Sequence, residues 1–465
     1  MKKRIICLLL IAVTLFAICS CSCVRGDKKY DYDDMSEYIT LPNYLSNTFT
    51  VDEDAIKQAI GTYLMQYASE YTIKRGDRVN VDMKFFNRID PETSLKGDEI
   101  TELYKDDYWL EHVATPDANG DYQISYQVEN GIIGSKLKAT ITKEYTLAND
   151  FYIEEYRGQT VFVDITVNNT VCEAGDVLIA SYTGYYVDEN GQILKDDQGK
   201  DKTFDKSEKS SFYIGSHLAI EDFENGLIGM SVGVEKDIYA TFPNEYKPEP
   251  NLAGKRVMFR VKIASLYTPP TYNDAFVQNY FTTFKTVTEF EEALRNEYLL
   301  SLVYEYITQK AVIIEYPKAE YKAAESQLVS IEGTFASSMN TTLDAYLKTE
   351  YGMTRDEYIK SNMKTEMIFY SLRQSIGASV EPTQEEMAAE KDALIAYYKQ
   401  SYMQESTYTE TTALSAAKAF VENLGETYIY EQVLYAKIDK YIPAHVKTEF
   451  KPSIHESYVF DAQEK

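Results

Sequence analysis

The chain contains few of the residues that usually form metal sites or disulfide frameworks. Its 465 residues include five cysteines, four histidines and one tryptophan. Only Cys172 lies in the part of the sequence expected to fold, so we predict no internal disulfide. The histidines are scattered without the spacing of a ligand set, and we therefore predict no metal site. They are His112, His217, His445 and His455.

Positive charge is also scarce, and this excludes one class of partner. The sequence has 47 Lys and Arg against 73 Asp and Glu, a net charge of −26. Nucleic-acid binding requires an excess of basic residues to neutralise phosphates, so we expect no nucleic-acid partner. Hydrophobic residues make up 44% of the chain, which is enough to bury a core, and the length suggests about three domains.

The N-terminus has the pattern of an export signal. Basic residues at 2–4 precede an apolar run over 5–18, which is too short for a comfortable membrane span. The run ends in ICSC, with Ile18 three positions and a serine one position before Cys21. This resembles the signal of a bacterial lipoprotein and makes Cys21 the expected lipidated residue. Cys23 is a weaker alternative, and an ordinary cleaved signal is another.

Two short segments are predicted to follow the signal, which we place at 1–21. Residues 22–50 are charged and tyrosine-rich without clear periodicity, and we predict a tether that lifts the body off the membrane. Residues 51–73 carry apolar side chains at helical spacing and predict one amphipathic helix.

An internal repeat occupies the middle of the chain. Three pairs of segments occur in the same order at offsets of 99, 95 and 96 residues. The pairs are RGDRVNVDM from Arg75 with AGDVLIASY from Ala174, VENGIIG from Val128 with FENGLIG from Phe223, and RGQTVFV from Arg157 with AGKRVMF from Ala253. We predict two related α+β units, each with short antiparallel strands around one helix, at 74–171 and 172–268.

An ordered set of aromatic residues, glycines and one acid runs through the second unit. Its segments are YTGY from Tyr182, FD at 204–205, FYIG from 212, IEDFENGLIGMSVG from 220, FPNEY from 242 and VMF ending at 259. This order resembles an FKBP-type peptidyl-prolyl cis-trans isomerase domain. The reaction that the resemblance implies needs no nucleophile, metal or cofactor.

The resemblance also implies a role for each site residue. Phe223 would form the floor of the pocket, where the phenylalanine is the form found in trigger factors. Ile220 would offer its backbone N–H to a substrate carbonyl, and Asp205 would face the rotating carbonyl or orient Tyr182. Tyr246 would close the rim. The expected walls are Tyr182, Phe204, Phe212 and Phe259.

The first unit lacks these walls. Met83, Ser125, Val128 and Val163 stand at the positions of Tyr182, Ile220, Phe223 and Phe259, and no Phe-Asp pair occurs at the expected place. The glycines of the scaffold, Gly131 and Gly134, remain. We therefore predict that residues 74–171 form a degenerate, noncatalytic FKBP-like unit.

Helical periodicity dominates after Pro269-Pro270. Possible capping boxes occur at Thr288–Glu291, Thr354–Glu357 and Thr383–Glu386, each predicting the start of a helix. The segments TYNDAF from 271, FKTVTEFEEAL from 284, IEYP from 314 and YGMTRDEY from 351 resemble the C-terminal chaperone domain of trigger factor. We place this all-α domain at 269–450 and a tail at 451–465. The ribosome-docking domain of that family is lacking, so we expect no ribosome partner.

Together these features predict a membrane-anchored, extracytoplasmic isomerase and chaperone. Its partners would be unfolded exported polypeptides with X-Pro bonds, and its location the outer face of the cell membrane, held by lipid. The alternative is a noncatalytic scaffold that binds clients or a partner at the cell surface. A solute-binding lipoprotein is weaker, because a two-lobed α/β pattern is lacking.

Overall fold

The structure is a computed structural model that describes residues 34–90, 95–118, 126–147, 149, 151, 153–281, 283–404, 407–455 and 457–461. The chain divides into two compact units. The sheet unit comprises residues 54–290 and 453–465, and the helical unit comprises residues 1–53 and 291–452. The predicted signal, Cys21, Cys23 and Ser125 lie outside the described residues.

The α+β class is confirmed. The strands are β1 (Ile39–Thr40), β2 (Thr48–Asp52), β3 (Ser69–Glu70), β4 (Val79–Asp90), β5 (Leu95–Glu99), β6 (Lys105–Leu110), β7 (Thr140–Thr146), β8 (Thr160–Thr170), β9 (Val177–Tyr186), β10 (Thr203–Tyr213), β11 (Glu235–Thr241), β12 (Arg256–Thr268), β13 (Val312–Ile313) and β14 (Lys447–Lys451). The helices are α1 (Glu53–Gln66), α2 (Tyr126–Gly131), α3 (Glu221–Leu227), α4 (Asp274–Tyr280), α5 (Val287–Lys310), α6 (Lys318–Ser338), α7 (Leu343–Glu350), α8 (Arg355–Ile376), α9 (Gln384–Met403) and α10 (Glu410–His445).

The two sheets of the sheet unit share the same order of four strands and differ in the place of the fifth. The first has the order β5-β4-β8-β7, with β6 also on β4, and the second has the order β10-β9-β12-β11, with β3 on β12. All of these pairings are antiparallel. Helices α2 and α3 occupy equivalent places, each preceding the strand that pairs with the last long strand of its sheet. The repeat therefore encodes two tandem units of the same fold, as the sequence predicted.

Burial of apolar side chains joins the two sheets. Their buried residues form a single cluster that extends from Tyr71 to Leu266. Strands whose side chains alternate inward and outward supply it, as in β8, where every second residue from Val161 to Val167 is buried. Hydrogen bonds also cross from one repeat to the other, for example from the Asn169 side-chain amide to the Val232 carbonyl at 3.1 Å.

The helical unit confirms two of the three proposed capping boxes. Thr354 with Glu357 and Thr383 with Glu386 form reciprocal capping boxes at the starts of α8 and α9. The box proposed for Thr288–Glu291 is wrong by two positions. Helix α5 already begins at Val287, and the hydroxyl of Thr286 accepts the Glu289 N–H at 3.2 Å.

The segment expected to be a tether is folded where the structure describes it. Met35 and Ile39 are fully buried, β1 pairs with β13, and β2 pairs in parallel with β14. The prediction of a tether is wrong for these residues, because they lie more than 250 positions from their partners and local periodicity does not reveal such contacts. The helix expected at 51–73 is shorter, ending at Gln66.

The expected C-terminal tail is also partly folded. Tyr458 and Phe460 are buried in the sheet unit, with exposed fractions of 2% and 0%. Within the described ranges, no helix combines the length and apolar character needed to cross a bilayer.

A half-buried carboxylate in α10 makes the helical unit sensitive to pH. The Tyr304 hydroxyl donates to Asp439 Oδ1 at 2.8 Å, and burial raises the pKa of Asp439 to about 6. Because the folded-state pKa exceeds the unfolded value of about 4, protonated Asp439 stabilises the fold fully below about pH 4. This contribution is lost as the pH rises through about 6.

We expect Asp439→Asn to stabilise the helical unit at pH 8 by up to about 3 kcal/mol, because asparagine still accepts from Tyr304 and carries no charge. The gain should disappear near pH 4. Urea unfolding followed by circular dichroism at both pH values measures it, with the exposed Asp392→Asn as a matched control. An equal gain at both pH values would contradict the assignment.

Candidate active site

Five of the eight residues proposed for the site form one aromatic cluster in the second sheet. Phe223 on α3 and Phe259 on β12 are buried, with ring centroids 4.8 Å apart. The half-buried ring of Tyr182 lies 6.0 to 6.1 Å from those of Phe212, Phe223 and Phe259. Phe204 lies 5.5 Å from Phe259. Partly exposed rings thus border a buried aromatic floor.

Tyr246 reaches this cluster through a ring that the sequence analysis had not included. Phe242 lies 4.8 Å from Tyr246 and 5.9 Å from Phe204, measured between centroids, and is 6% exposed. It is the first residue of the FPNEY segment, so the motif could have revealed it. Phe242 connects the proposed rim to the proposed wall.

Asp205 orients Tyr182. The Tyr182 hydroxyl donates to Asp205 Oδ2 at 2.7 Å, while Asp205 Oδ1 accepts the Lys206 N–H at 2.8 Å. Burial, and then the bond to Asp205, raise the pKa of Tyr182 above its ordinary value. The hydroxyl therefore stays protonated at neutral pH, and its ring is held in one direction.

Ile220 precedes α3 in an extended conformation, with φ −66° and ψ 141°. Its carbonyl accepts the N–H groups of Phe223 and Glu224, and its own N–H has no acceptor among the described residues. The N–H is thus unbonded in the described part of the chain, and its role toward a substrate carbonyl stays a prediction.

A buried carboxylate, missed in the sequence, fixes the loop before Ile220. Glu224 is 4% exposed and accepts the Gly215 N–H through Oε2 and the Ala219 N–H through Oε1, both at 2.9 Å. Burial raises the pKa of Glu224. Its two bonds satisfy backbone donors of this half-buried loop.

Gly184 makes room for Phe204. Phe204 lies at a register irregularity of β10, between the pairs Thr203–Tyr185 and Asp205–Gly184. A Cβ at Gly184 would lie 2.5 Å from Phe204 Cζ, so only glycine permits this approach. Such irregularities redirect side chains in antiparallel sheets. The register irregularity and Gly184 together position the ring of Phe204, the proposed wall of the site.

In the first repeat, a phenylalanine occupies the position that corresponds to Gly184. Met83 pairs with Ile165 as Tyr182 pairs with Val261, so the strand registers agree. By the same registers, Phe85 stands where the second repeat has Gly184, and Phe85 is buried. This geometry supports the prediction that the first unit is noncatalytic.

The two repeats retain the same supporting features. Glu129 in the first repeat accepts the Ala114 N–H at 3.0 Å, as Glu224 does for its loop. Gly134 and Gly229 both have left-handed backbones, with φ of +82° and +79°. Among the described residues, no group of three or more His, Cys, Asp or Glu side chains could hold a metal ion.

Comparison with known proteins places the site in a family domain. Residues 169–264 match the family model for FKBP-type peptidyl-prolyl cis-trans isomerase. This range includes all eight proposed site residues. The second repeat is therefore an FKBP-type domain, and the resemblance recognised in the sequence is confirmed.

Longer similarity relates the chain to trigger factors. It is 25% identical over 252 residues to trigger factor of Brevibacillus brevis, covering 50% of this chain and 55% of that protein. It is 30% identical over 167 residues to trigger factor of Anoxybacillus flavithermus, covering 36% of this chain and 35% of that protein. It is 24% identical over 375 residues to trigger factor of Desulforamulus reducens, covering 72% of this chain and 84% of that protein. The chain thus spans about half the length of the first of these relatives.

Two solved structures are also similar. One is a trigger factor chaperone structure, with 13% identity, a TM-score of 0.19, and coverage of 65% of this chain and 79% of that one. The other holds the three FKBP domains of wheat FKBP73, with 12% identity, a TM-score of 0.15, and coverage of 43% and 91%. These TM-scores are too low to support an argument.

We expect Gly184→Ala to lower kcat/KM for prolyl isomerisation at least about tenfold, because the methyl group would displace Phe204 and weaken transition-state contacts. Gly333→Ala is the control, since a Cβ there meets open space. Isomerisation of a short X-Pro peptide measures both variants. Unchanged activity in Gly184→Ala would show that Phe204 is not a wall of the site.

Proposed function

We propose that this protein is a membrane-anchored, extracytoplasmic peptidyl-prolyl cis-trans isomerase and chaperone that assists the folding of exported proteins. The observation that carries the enzymatic part is the aromatic cluster around Phe223, with Tyr182 held by Asp205. It lies within the segment that matches the FKBP-type family model.

The chemistry suits a site without nucleophile or metal. Rotation about a peptide bond costs about 18–20 kcal/mol because the resonance of the amide is lost. An apolar surround disfavours the charge-separated resonance form and so weakens the C–N double-bond character. A thousandfold acceleration requires only about 4 kcal/mol of preference for the twisted state over the planar one.

Each group of the aromatic cluster is proposed to favour the twisted peptide bond over the planar one. Phe223 and Phe259 form the buried floor against which a prolyl ring packs. The free N–H of Ile220 binds a substrate carbonyl, which leaves the amide plane free to turn. Tyr182, fixed by its bond to Asp205, forms a wall that does not adapt to the planar ground state.

Exposed apolar side chains in the helical unit support the chaperone part. A surface that binds non-native chains must expose apolar side chains. Phe335, in the last turn of α6, and Met339, which follows that helix, are 57% and 60% exposed. Others above 40% are Val312, Ile314, Val329, Tyr351, Tyr397, Met403 and Phe450. They offer adaptable contacts to non-native chains.

The location is proposed from the N-terminal sequence alone. The basic start, the apolar run and the ICSC segment support export and lipidation of Cys21. Stable anchoring requires about two acyl chains, which lipoprotein processing supplies. In this setting the clients are exported polypeptides with X-Pro bonds, and no ribosome is involved.

Two variants separate the activities. Phe223→Leu should lower kcat/KM for a proline-limited refolding reaction by about tenfold or more, because a buried floor ring is lost. Phe335→Ser, on the helical unit, should leave that rate unchanged and weaken suppression of client aggregation. Each variant is the control for the other, and equal circular dichroism spectra establish that both fold.

The result also discriminates the alternative function. If the wild type does not accelerate refolding but still suppresses aggregation, the protein is a noncatalytic scaffold. If Phe223→Leu retains full activity, the aromatic cluster is not the site. Complete loss in Phe223→Leu would further indicate that the first repeat contributes no isomerisation.

Replacement of the proposed lipidated cysteine tests the location. Cys21→Ser should abolish acylation and release the protein from the membrane fraction, because the thiol that carries the lipid is gone. Mass spectrometry of the mature N-terminus and fractionation measure this, with Cys23→Ser as the matched control. Retained acylation in Cys21→Ser and its loss in Cys23→Ser would assign the anchor to Cys23.

A further inference from the structure

The loop that leads to Ile220 is contacted by the last described residues of the chain. We call residues 457–461 the C-terminal strap. The Val459 N–H donates to the Gly215 carbonyl at 3.1 Å, while the Gly215 N–H donates to Glu224 Oε2 at 2.9 Å. Gly215 is therefore bonded to the strap on one side and to the site helix on the other.

The strap and the loop approach each other very closely. A Cβ at Gly215 would lie 3.0 Å from Val459 Cβ, and the backbone of Gly215 is left-handed, with φ +86°. Any side chain at position 215 would push against Val459. The glycine thus permits a contact that an ordinary loop residue would prevent.

The strap itself is firmly anchored in the sheet unit. Tyr458 is buried, and its hydroxyl donates to Asp54 Oδ1 at 2.9 Å. Asp461 forms an ion pair with Lys57 at 2.8 Å, and Phe460 is fully buried. Because α1 holds the strap at both of these points, Val459 presents a fixed donor to the loop.

A second contact joins the loop to the chain end. The imidazole rings of His217 and His455 stack at a centroid distance of 3.7 Å, and the His217 ring also contacts the Ser457 carbonyl at 3.2 Å. The loop is therefore supported at Gly215 and at His217, between the two residues, Gly215 and Ala219, whose N–H groups Glu224 accepts.

We propose that Val459 is a positioning residue of the isomerase site: through Gly215 and Glu224 it holds the Ile220 N–H in place for a substrate carbonyl. This inference depends on the proposed isomerase function. It assigns a role in that site to a residue 236 positions beyond Phe223, outside the segment that matches the family model.

A pair of glycine substitutions tests the contact in the full chain. Gly215→Ala pushes against Val459, whereas Gly233→Ala imposes similar backbone strain, with φ +84°, in open space. We expect kcat/KM to fall about fivefold to tenfold in Gly215→Ala, the scale of one hydrogen bond, and to stay within about twofold of wild type in Gly233→Ala.

A second-site substitution separates positioning from general loss of stability. Val459→Gly removes the side chain that the new methyl group would strike but keeps the N–H donor. The double variant Gly215→Ala with Val459→Gly should therefore recover most of the lost kcat/KM, so the two effects are not additive. Additive losses, or equal losses in Gly215→Ala and Gly233→Ala, would overturn the proposal.

Hydrogen exchange provides a readout that does not need catalysis. Val459→Pro removes the donor to Gly215, and Val459→Thr keeps it as a matched control. Faster exchange confined to residues 215–224 in Val459→Pro supports the proposal, even if the wild type is inactive and the proposed function fails. Unchanged exchange there contradicts it. If Gly215→Ala does not fold, this second pair still decides the question.

Discussion

Burial of one continuous apolar core beneath two antiparallel sheets is the constraint on which the sheet unit depends. The buried residues of both sheets belong to the same apolar cluster, to which each sheet contributes residues of its strands and of its short helix. Strands β8 and β9 are joined by a short connection, so the repeats are adjacent both in sequence and in packing. A change in either repeat therefore affects a core that both share.

This shared core explains which features the repeats retain and which they do not. The buried carboxylates Glu129 and Glu224 each accept backbone N–H groups of the preceding loop, and Gly134 and Gly229 each adopt a left-handed turn. These features serve the backbone and are needed in both copies. Gly184 and the ring of Phe204 serve only the aromatic cluster, and in the first repeat a buried phenylalanine replaces the glycine. The scaffold and the site are thus separable properties of one fold.

Much of the fold and of the proposed site was predictable because it depends on short segments of the sequence. Each capping box, each aromatic motif and each repeated segment spans only a few consecutive residues, so a single sequence reveals them. The packed segment around Met35 and the strap at Val459 depend on partners hundreds of residues away, and periodicity carries no information about those. Glu224 was missed for another reason. A glutamate in a short helix ordinarily faces water, and only the structure shows that two loop N–H groups replace that water.

The site achieves its order without a group that must change protonation state. Burial and Asp205 raise the pKa of Tyr182, so its hydroxyl remains a donor throughout the neutral range. Asp205 accepts from Tyr182 and from the Lys206 N–H, and neither bond requires a proton to move. The proposed site depends instead on the positions of its aromatic walls and of the Ile220 N–H. Because position is set by backbone contacts, the roles proposed for Gly184, Gly215 and the C-terminal strap rest on the same kind of geometry as those proposed for the rings.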